Sequence, residues 1–290
     1  MEYLPYCFYA VLGISALLYV MLDGFDLGVG TLYLFVKEDR ERRIFLNSIG
    51  PIWDGNEVWL VIIMGGLFAG FPEVYATVFS AFYNVFTLLM AALIFRAVAI
   101  EMRSKRPMLW WRRTWDALFF IGSVSIAFII GLVVGNLIRG IPLNEAHDYM
   151  GTFSDFFNPY SLLIGALVVA LFAAHGCIYL ILKTEGALQQ KLRHWVGPVV
   201  LLFLGLFAMS TAATLLFQPH MVIRFAKEYE LFVLLTLGLA ALWGVFFFVR
   251  SQKEGLAFCC SALAMAFFVS LFGIGTFPYL VRSSIQPLIS

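Results

Sequence analysis

Six carboxylates and one arginine lie in stretches too apolar to be bathed in water. Asp23 and Asp26 are three residues apart, so on a helix they share a face. Asp54 and Glu57 repeat that spacing inside Trp53-Asp54-Gly55-Asn56-Glu57-Val58-Trp59. Arg96 and Glu101 sit in the next apolar run, and Asp116 opens the one after it. On insertion scales a charge at membrane depth costs at least ~2.5–3.5 kcal/mol, so each needs a partner, a water-lined cavity or a function. One reading is a set of ion pairs that fix helix register. A single arginine answers one or two carboxylates, which leaves several acids unexplained. A carboxylate buried without a counter-charge favours its protonated form and can pass protons near neutrality. The preferred reading is therefore a proton or cation route through Asp23, Asp26, Asp54, Glu57 and Arg96. Glu101 and Asp116 are secondary members, the two closest to being merely interfacial.

Later in the chain the one ionisable group well inside an apolar run is His175, in Ala173-Ala174-His175-Gly176. It could bind a haem iron or relay protons, but hydrogen bonding to a neighbouring helix is the commoner use of such a histidine. His147, His194 and His220 fall in connections. Cys7, Cys177, Cys259 and Cys260 lie in apolar runs without metal-ligand spacing and read as small hydrophobes. No metal site and no catalytic nucleophile is expected.

These groups must be carried by membrane helices. The 290-residue chain is 62% hydrophobic and only 13% charged, with a mean hydropathy of +0.90. That is about half the charge of a soluble domain. A net charge of +1 gives no reason to expect nucleic acid or an acidic substrate. The start of the chain, Met1 to Pro5, has no basic residue and no cleavage pattern, so the first run is expected to stay as a helix.

Eight stretches are long enough to span a bilayer: Tyr6–Val36, Ser48–Ala69, Tyr75–Ile100, Thr114–Ile138, Pro159–Lys183, Val196–Leu216, Leu231–Arg250 and Leu256–Val281. Fourteen Lys and Arg fall in the connections on one side and four on the other, with Arg96 within a span. By the positive-inside rule the N-terminus is outside, and after eight spans so is Ser290. All seven buried charges then fall in the inner half of the membrane. Glycines at positions 24, 28 and 30 allow another backbone to approach beside the first two acids.

The ordered motifs resemble those of subunit II of the cytochrome bd-type quinol oxidases. They begin with Leu22-Asp23-Gly24-Phe25-Asp26-Leu27-Gly28-Val29-Gly30, Arg42-Arg43 with Asn47-Ser48-Ile49, and Pro51 through Trp59. They continue through Gly65-Gly66-Leu67-Phe68-Ala69, Phe71-Pro72, Phe79-Ser80, Phe95-Arg96, Arg103-Ser104-Lys105 and Trp115-Asp116. Beyond residue 140 the likeness thins to Asn158-Pro159, His175-Gly176 and Phe277-Pro278.

The resemblance implies a bacterial inner-membrane heterodimer that oxidises quinol and reduces dioxygen to water. It implies haem b and haem d in the complex, ligated mainly by a haem-bearing subunit I, with quinol as substrate. It leaves room for small single-helix subunits and for a bound lipid or quinone. By the same resemblance Asp54 lies on a cytoplasmic-side proton route, with Asp23, Asp26 and Arg96 as its polar neighbours. Protons drawn from inside while quinol releases its own outside would build a gradient without a pump.

The expected fold is all-α: eight transmembrane helices in two four-helix bundles. Residues 1–140 form the first bundle with the acid band, and residues 141–290 the second, largely apolar one. The family's ninth helix is expected to be absent. A rival function is a cation- or proton-coupled transporter that binds its ion in the acid cluster. It would call for broken, repeated helices in both halves, whereas the polar content is confined to one.

Overall fold

A computed structural model describes residues 3–145 and 148–284, with the side chains of all but 224–226. His147 and Ser290 lie outside the described residues. Eleven α-helices account for most of the described chain: α1 (Leu4–Leu32), α2 (Asp39–Ile49), α3 (Trp53–Gly70), α4 (Pro72–Ala81), α5 (Tyr83–Met102), α6 (Leu109–Arg139), α7 (Pro159–Lys183), α8 (Gly186–Phe217), α9 (Pro219–Lys227), α10 (Tyr229–Arg250) and α11 (Glu254–Thr276). Among the described residues β pairing is limited to the isolated bridges Ile141–Ser283 and Leu143–Tyr149.

Seven of these helices (α1, α5, α6, α7, α8, α10 and α11) are long and apolar enough to cross a membrane. An eighth span exists if α2 and α3, bent by 51° at their junction, count as one. The bend falls at Gly50-Pro51, where the proline offers no N–H to continue the ladder. The expected second span therefore starts at Trp53 rather than Ser48. Its polar first turns, with Asp54, Asn56 and Glu57, dilute its apolar length. The expected third span is likewise divided, with α4 and α5 meeting at Phe82. At the other end α11 stops at Thr276 rather than Val281, because Pro278 cannot extend a helix.

Helix α1 lies at the centre, against α3, α6, α7 and α11. It crosses α7 with the backbones in contact. A Cβ on Gly28 would stand 1.9 Å from the Phe172 carbonyl oxygen, and one on Gly176 would stand 2.4 Å from the Gly28 carbonyl carbon. Only glycine fits on either side, as in other close crossings of membrane helices. The crossing fixes the face of α1 that bears the acids. The two large apolar cores each draw on residues before and after position 140.

Ion pairs tie the elements at the basic end. Lys191 of α8 reaches Glu41 of α2 at 2.8 Å, and Arg193 pairs with Glu254 at the start of α11. At the opposite end the Ile141 N–H donates to the Arg282 carbonyl at 3.0 Å, and the Ser284 N–H to the Ile141 carbonyl at 2.9 Å.

Candidate functional site

Tyr19, Asp23, Asp26 and Tyr33 follow one another at intervals of four, three and seven, and so form a single stripe along α1 and the 3-10 turn Tyr33–Phe35 that continues it. All four are buried. Arg96 of α5 meets this stripe from the far side, its Nη2 donating to Asp23 Oδ1 at 2.7 Å. Both side chains are fully enclosed. Close packing of α5 on α6 holds the arginine there: a Cβ on Gly122 would stand 2.9 Å from the Ala92 carbonyl oxygen and 3.1 Å from the Arg96 nitrogen.

Glu57 of α3 completes the group, with Oε2 at 3.5 Å from Arg96 Nη1. The preceding residue, Asn56, donates from Nδ2 to Asp26 Oδ2 at 2.8 Å and lies 3.4 Å from the Leu22 carbonyl. These two contacts set the start of α3 level with the last third of α1. The structure thus joins Asp23, Asp26, Glu57 and Arg96 in one cluster of three carboxylates around one guanidinium. Asp23 Oδ2, Asp26 Oδ1, Glu57 Oε2 and the Tyr19 hydroxyl are buried without a protein hydrogen-bond partner, as are Arg96 Nε and Nη1. The group is polar, enclosed and only partly satisfied, with unfilled acceptors on three acids.

Asp54 stands beside this cluster and not inside it. It lies in the first turn of α3 and is exposed. No residue of α3 is fully buried, although the helix packs along α1. Glu101 is also exposed, near the end of α5, and takes no part in the cluster.

Asp116 belongs to a second group, at the basic end. Its Oδ1 accepts from the Tyr33 hydroxyl at 2.6 Å and from Arg103 Nε at 2.5 Å, and its Oδ2 accepts from Arg42 Nη1 at 2.7 Å. Arg103 also holds Asp39 at 2.8 Å, and Arg43 and Arg112 pair with the same acid. The sequence reading placed Arg42, Arg43 and Arg103 as connection charges and as parts of the family-like motifs, without a partner, and did not single out Asp39 or Tyr33. The stripe on α1 was the available signal for Tyr33.

His175 is buried between three helices. Its Nδ1 lies 2.6 Å from Ser261 Oγ of α11, and its Nε2 lies 3.0 Å from the Met21 carbonyl of α1. A carbonyl only accepts, so Nε2 carries the proton. The ring stacks on Phe258 at 5.1 Å between centroids, with Phe25 at 5.9 Å. Both ring nitrogens are thus engaged within this chain. The imidazole joins three helices beside the acid stripe.

A family model described as cytochrome bd terminal oxidase subunit II matches residues 4–289. The cytochrome bd-I ubiquinol oxidase subunit 2 of Escherichia coli strain K12 is 32% identical over 98% of this chain and 83% of its own length. The cytochrome bd ubiquinol oxidase subunit 2 of Bacillus subtilis strain 168 is 34% identical over 92% and 79%. Among solved structures, a chain of the bd oxidase from Geobacillus thermodenitrificans shares the fold with a TM-score of 0.83. That match covers 97% of this chain and 86% of the other at 18% identity, and is a likeness of fold.

Proposed function

The chain belongs to the cytochrome bd terminal oxidase subunit II family, and from that premise we propose that its acid cluster carries protons toward the partner subunit. It is subunit II of a respiratory quinol oxidase, an oxidoreductase, and a multi-pass protein of the bacterial inner membrane. The transporter reading is set aside with that membership. Membership brings a partner subunit I, haem in the complex and quinol as substrate.

The reading assigns haem b and haem d to ligands on subunit I. The engagement of both His175 nitrogens supports this assignment. Haem supplies the site where oxygen is reduced, and this chain's residues hold and pass the protons that the reduction consumes. The N-terminus is read as outside, from fourteen basic residues at one end against four at the other. The division into a polar bundle at 1–140 and an apolar bundle at 141–290 belongs to the same reading. So do small single-helix subunits and a lipid or quinone as further partners.

One observation carries the proton route. Asp54 is exposed at the start of a helix that meets α1 at Leu22 and Asp26, in the last third of a span whose apolar run continues to Phe35. A carboxylate does not face lipid at that depth. The face of α3 bearing Asp54, Val58, Val61 and Phe68 is therefore assigned to subunit I, with α5 beside it. Asp54 then stands at the seam, one turn from Glu57, which touches Arg96. Protons entering from the basic end would move through Asp26, Glu57 and Asp54 toward the partner, with Arg96 and Asn56 holding the acids in place.

The test is Asp54→Asn in the assembled oxidase. Oxygen consumption is expected to fall on the order of 10²-fold, the low end for a positioned proton-transfer group, while the haem absorbance spectrum is retained. Unchanged turnover would remove Asp54 from the route. Normal respiration without this subunit would remove the route altogether.

A further inference from the structure

We propose that the cleft between the α1–α2 turn and the start of α6 binds the phosphate of an anionic phospholipid in the leaflet at the basic end. The cleft has a volume of about 260 Å³. Lys37, Arg42, Arg112 and Arg113 line it together with the carboxylates of Asp39 and Asp116. Those two carboxylates are already taken. Asp116 accepts from Tyr33, Arg42 and Arg103, and Asp39 is paired with Arg43, Arg103 and Arg112.

The cations are not answered in turn. Among the described residues Lys37 and Arg113 form no ion pair with any carboxylate. Nε of Arg112 and Nη1 of Arg103 are buried with no acceptor. Helix α6 also begins at this cleft without a side-chain cap at Met108 and with no acid in its first turn. Its free N–H groups and positive dipole end add to the pull on an anion. The exposed charges left unpaired on this lining, Lys37 and Arg113, are both cations, and an oxygen-rich anion answers them.

The rim selects a lipid as the source of that anion. Leu109 is 71% exposed and Trp110 is 61% exposed, both in the first turn of α6, with Met108 beside them. Here a membrane helix leaves the hydrocarbon, so acyl chains can lie along the rim while the headgroup phosphate enters the cleft. Basic pockets between helices in the cytoplasmic leaflet are the usual receptors for such headgroups. The site does not depend on the proton reading and shares none of its residues.

The experiment uses the whole oxidase, stripped of lipid in detergent. It is titrated with short-chain phosphatidylglycerol, phosphatidylcholine or inorganic phosphate, and bound ligand is counted by native mass spectrometry. Phosphatidylglycerol is expected to bind more tightly than either alternative. The double variant Lys37→Gln with Arg113→Gln should weaken that binding by about 30-fold, and each single change by about fivefold. Neither residue holds a partner, so the haem spectrum should be unaltered. The single variants serve as the test if the double one assembles poorly. Arg250→Gln with Lys253→Gln removes two charges from the same end at a distance and should leave binding as it was. Equal affinity in wild type and variants overturns the site. Equal affinity for the two lipids overturns its preference for an anionic headgroup, and inorganic phosphate binding as tightly overturns the lipid as occupant.

Discussion

Two groups of charge sit along α1, separated by the ten residues from Asp23 to Tyr33, or ~15 Å of helix. They are built in opposite proportions. The inner group has one arginine for three carboxylates, and the basic-end group has four arginines for two. Their unfilled atoms differ accordingly. Around Arg96 they are an oxygen on each acid together with Arg96 Nε and Nη1, whereas at the basic end, among the described residues, no carboxylate oxygen is among them and they are the guanidinium nitrogens Arg103 Nη1 and Arg112 Nε. A buried pair that only holds structure works best with every charge answered, because a partner left alone costs more than the pair returns. Asp116 meets that requirement, with three donors on two oxygens. The acids near Arg96 do not, and free carboxylate oxygens inside a membrane are what proton transfer needs. On the proposed reading the same side-chain types make a clamp at one level and a relay at the next.

The largest test of this contrast is Asp116→Asn. It leaves Arg42 and Arg103 buried against a neutral amide. Removing one member of a buried pair costs about 3–5 kcal/mol, so assembled oxidase should fall steeply, read as haem absorbance per milligram of membrane protein. If assembly were normal and turnover lost, Asp116 would belong to the relay and the contrast would collapse. Asp26→Asn should behave the other way round. The side chain keeps its size, and Arg96 keeps Asp23 and Glu57. Assembly is expected to hold while oxygen consumption drops, again on the order of 10²-fold. An assembly defect without a rate defect in the surviving complex would make Asp26 structural.

Much of this was legible in the residues. The acids at 23, 26, 54 and 57 and the arginine at 96 stood out because charge in an apolar run is costly, and the structure brings four of the five together. What the sequence hid has physical reasons. Pairing across 73 residues, from Asp23 to Arg96, leaves no local trace, so the division of labour between Asp23 and Asp54 could not be read. Helix α2 was hidden because its charges look like a loop when counted for orientation. Its apolar positions Phe45, Leu46 and Ile49 are nevertheless buried. Asp116 looked like one more member of a single acid band, since depth alone cannot separate two groups on the same helix. The glycines at 28 and 176 were visible, but their meeting across two helices was not.

The smallest effect distinguishes the two groups most finely. Tyr33→Phe removes one hydrogen bond from Asp116 Oδ1, which keeps Arg103 on that oxygen and Arg42 on the other. A loss of about 1.5–3 kcal/mol is expected for a hydrogen bond to a charged group, seen as a lower midpoint for thermal loss of haem absorbance, with turnover unchanged. Asn56→Leu is its counterpart at the inner level. It removes the one side-chain donor found on Asp26, whose other oxygen has no partner. Each change removes a hydrogen bond from a neutral donor to a carboxylate, and at Asn56 also the longer contact to the Leu22 carbonyl, so the cost in stability should be of the same order. The rate should respond only at Asn56, because only there does the lost donor help set the protonation of an acid on the route. If both substitutions slow turnover equally, Tyr33 and Asp116 are an entry to the route, and the boundary between clamp and relay moves to the basic end.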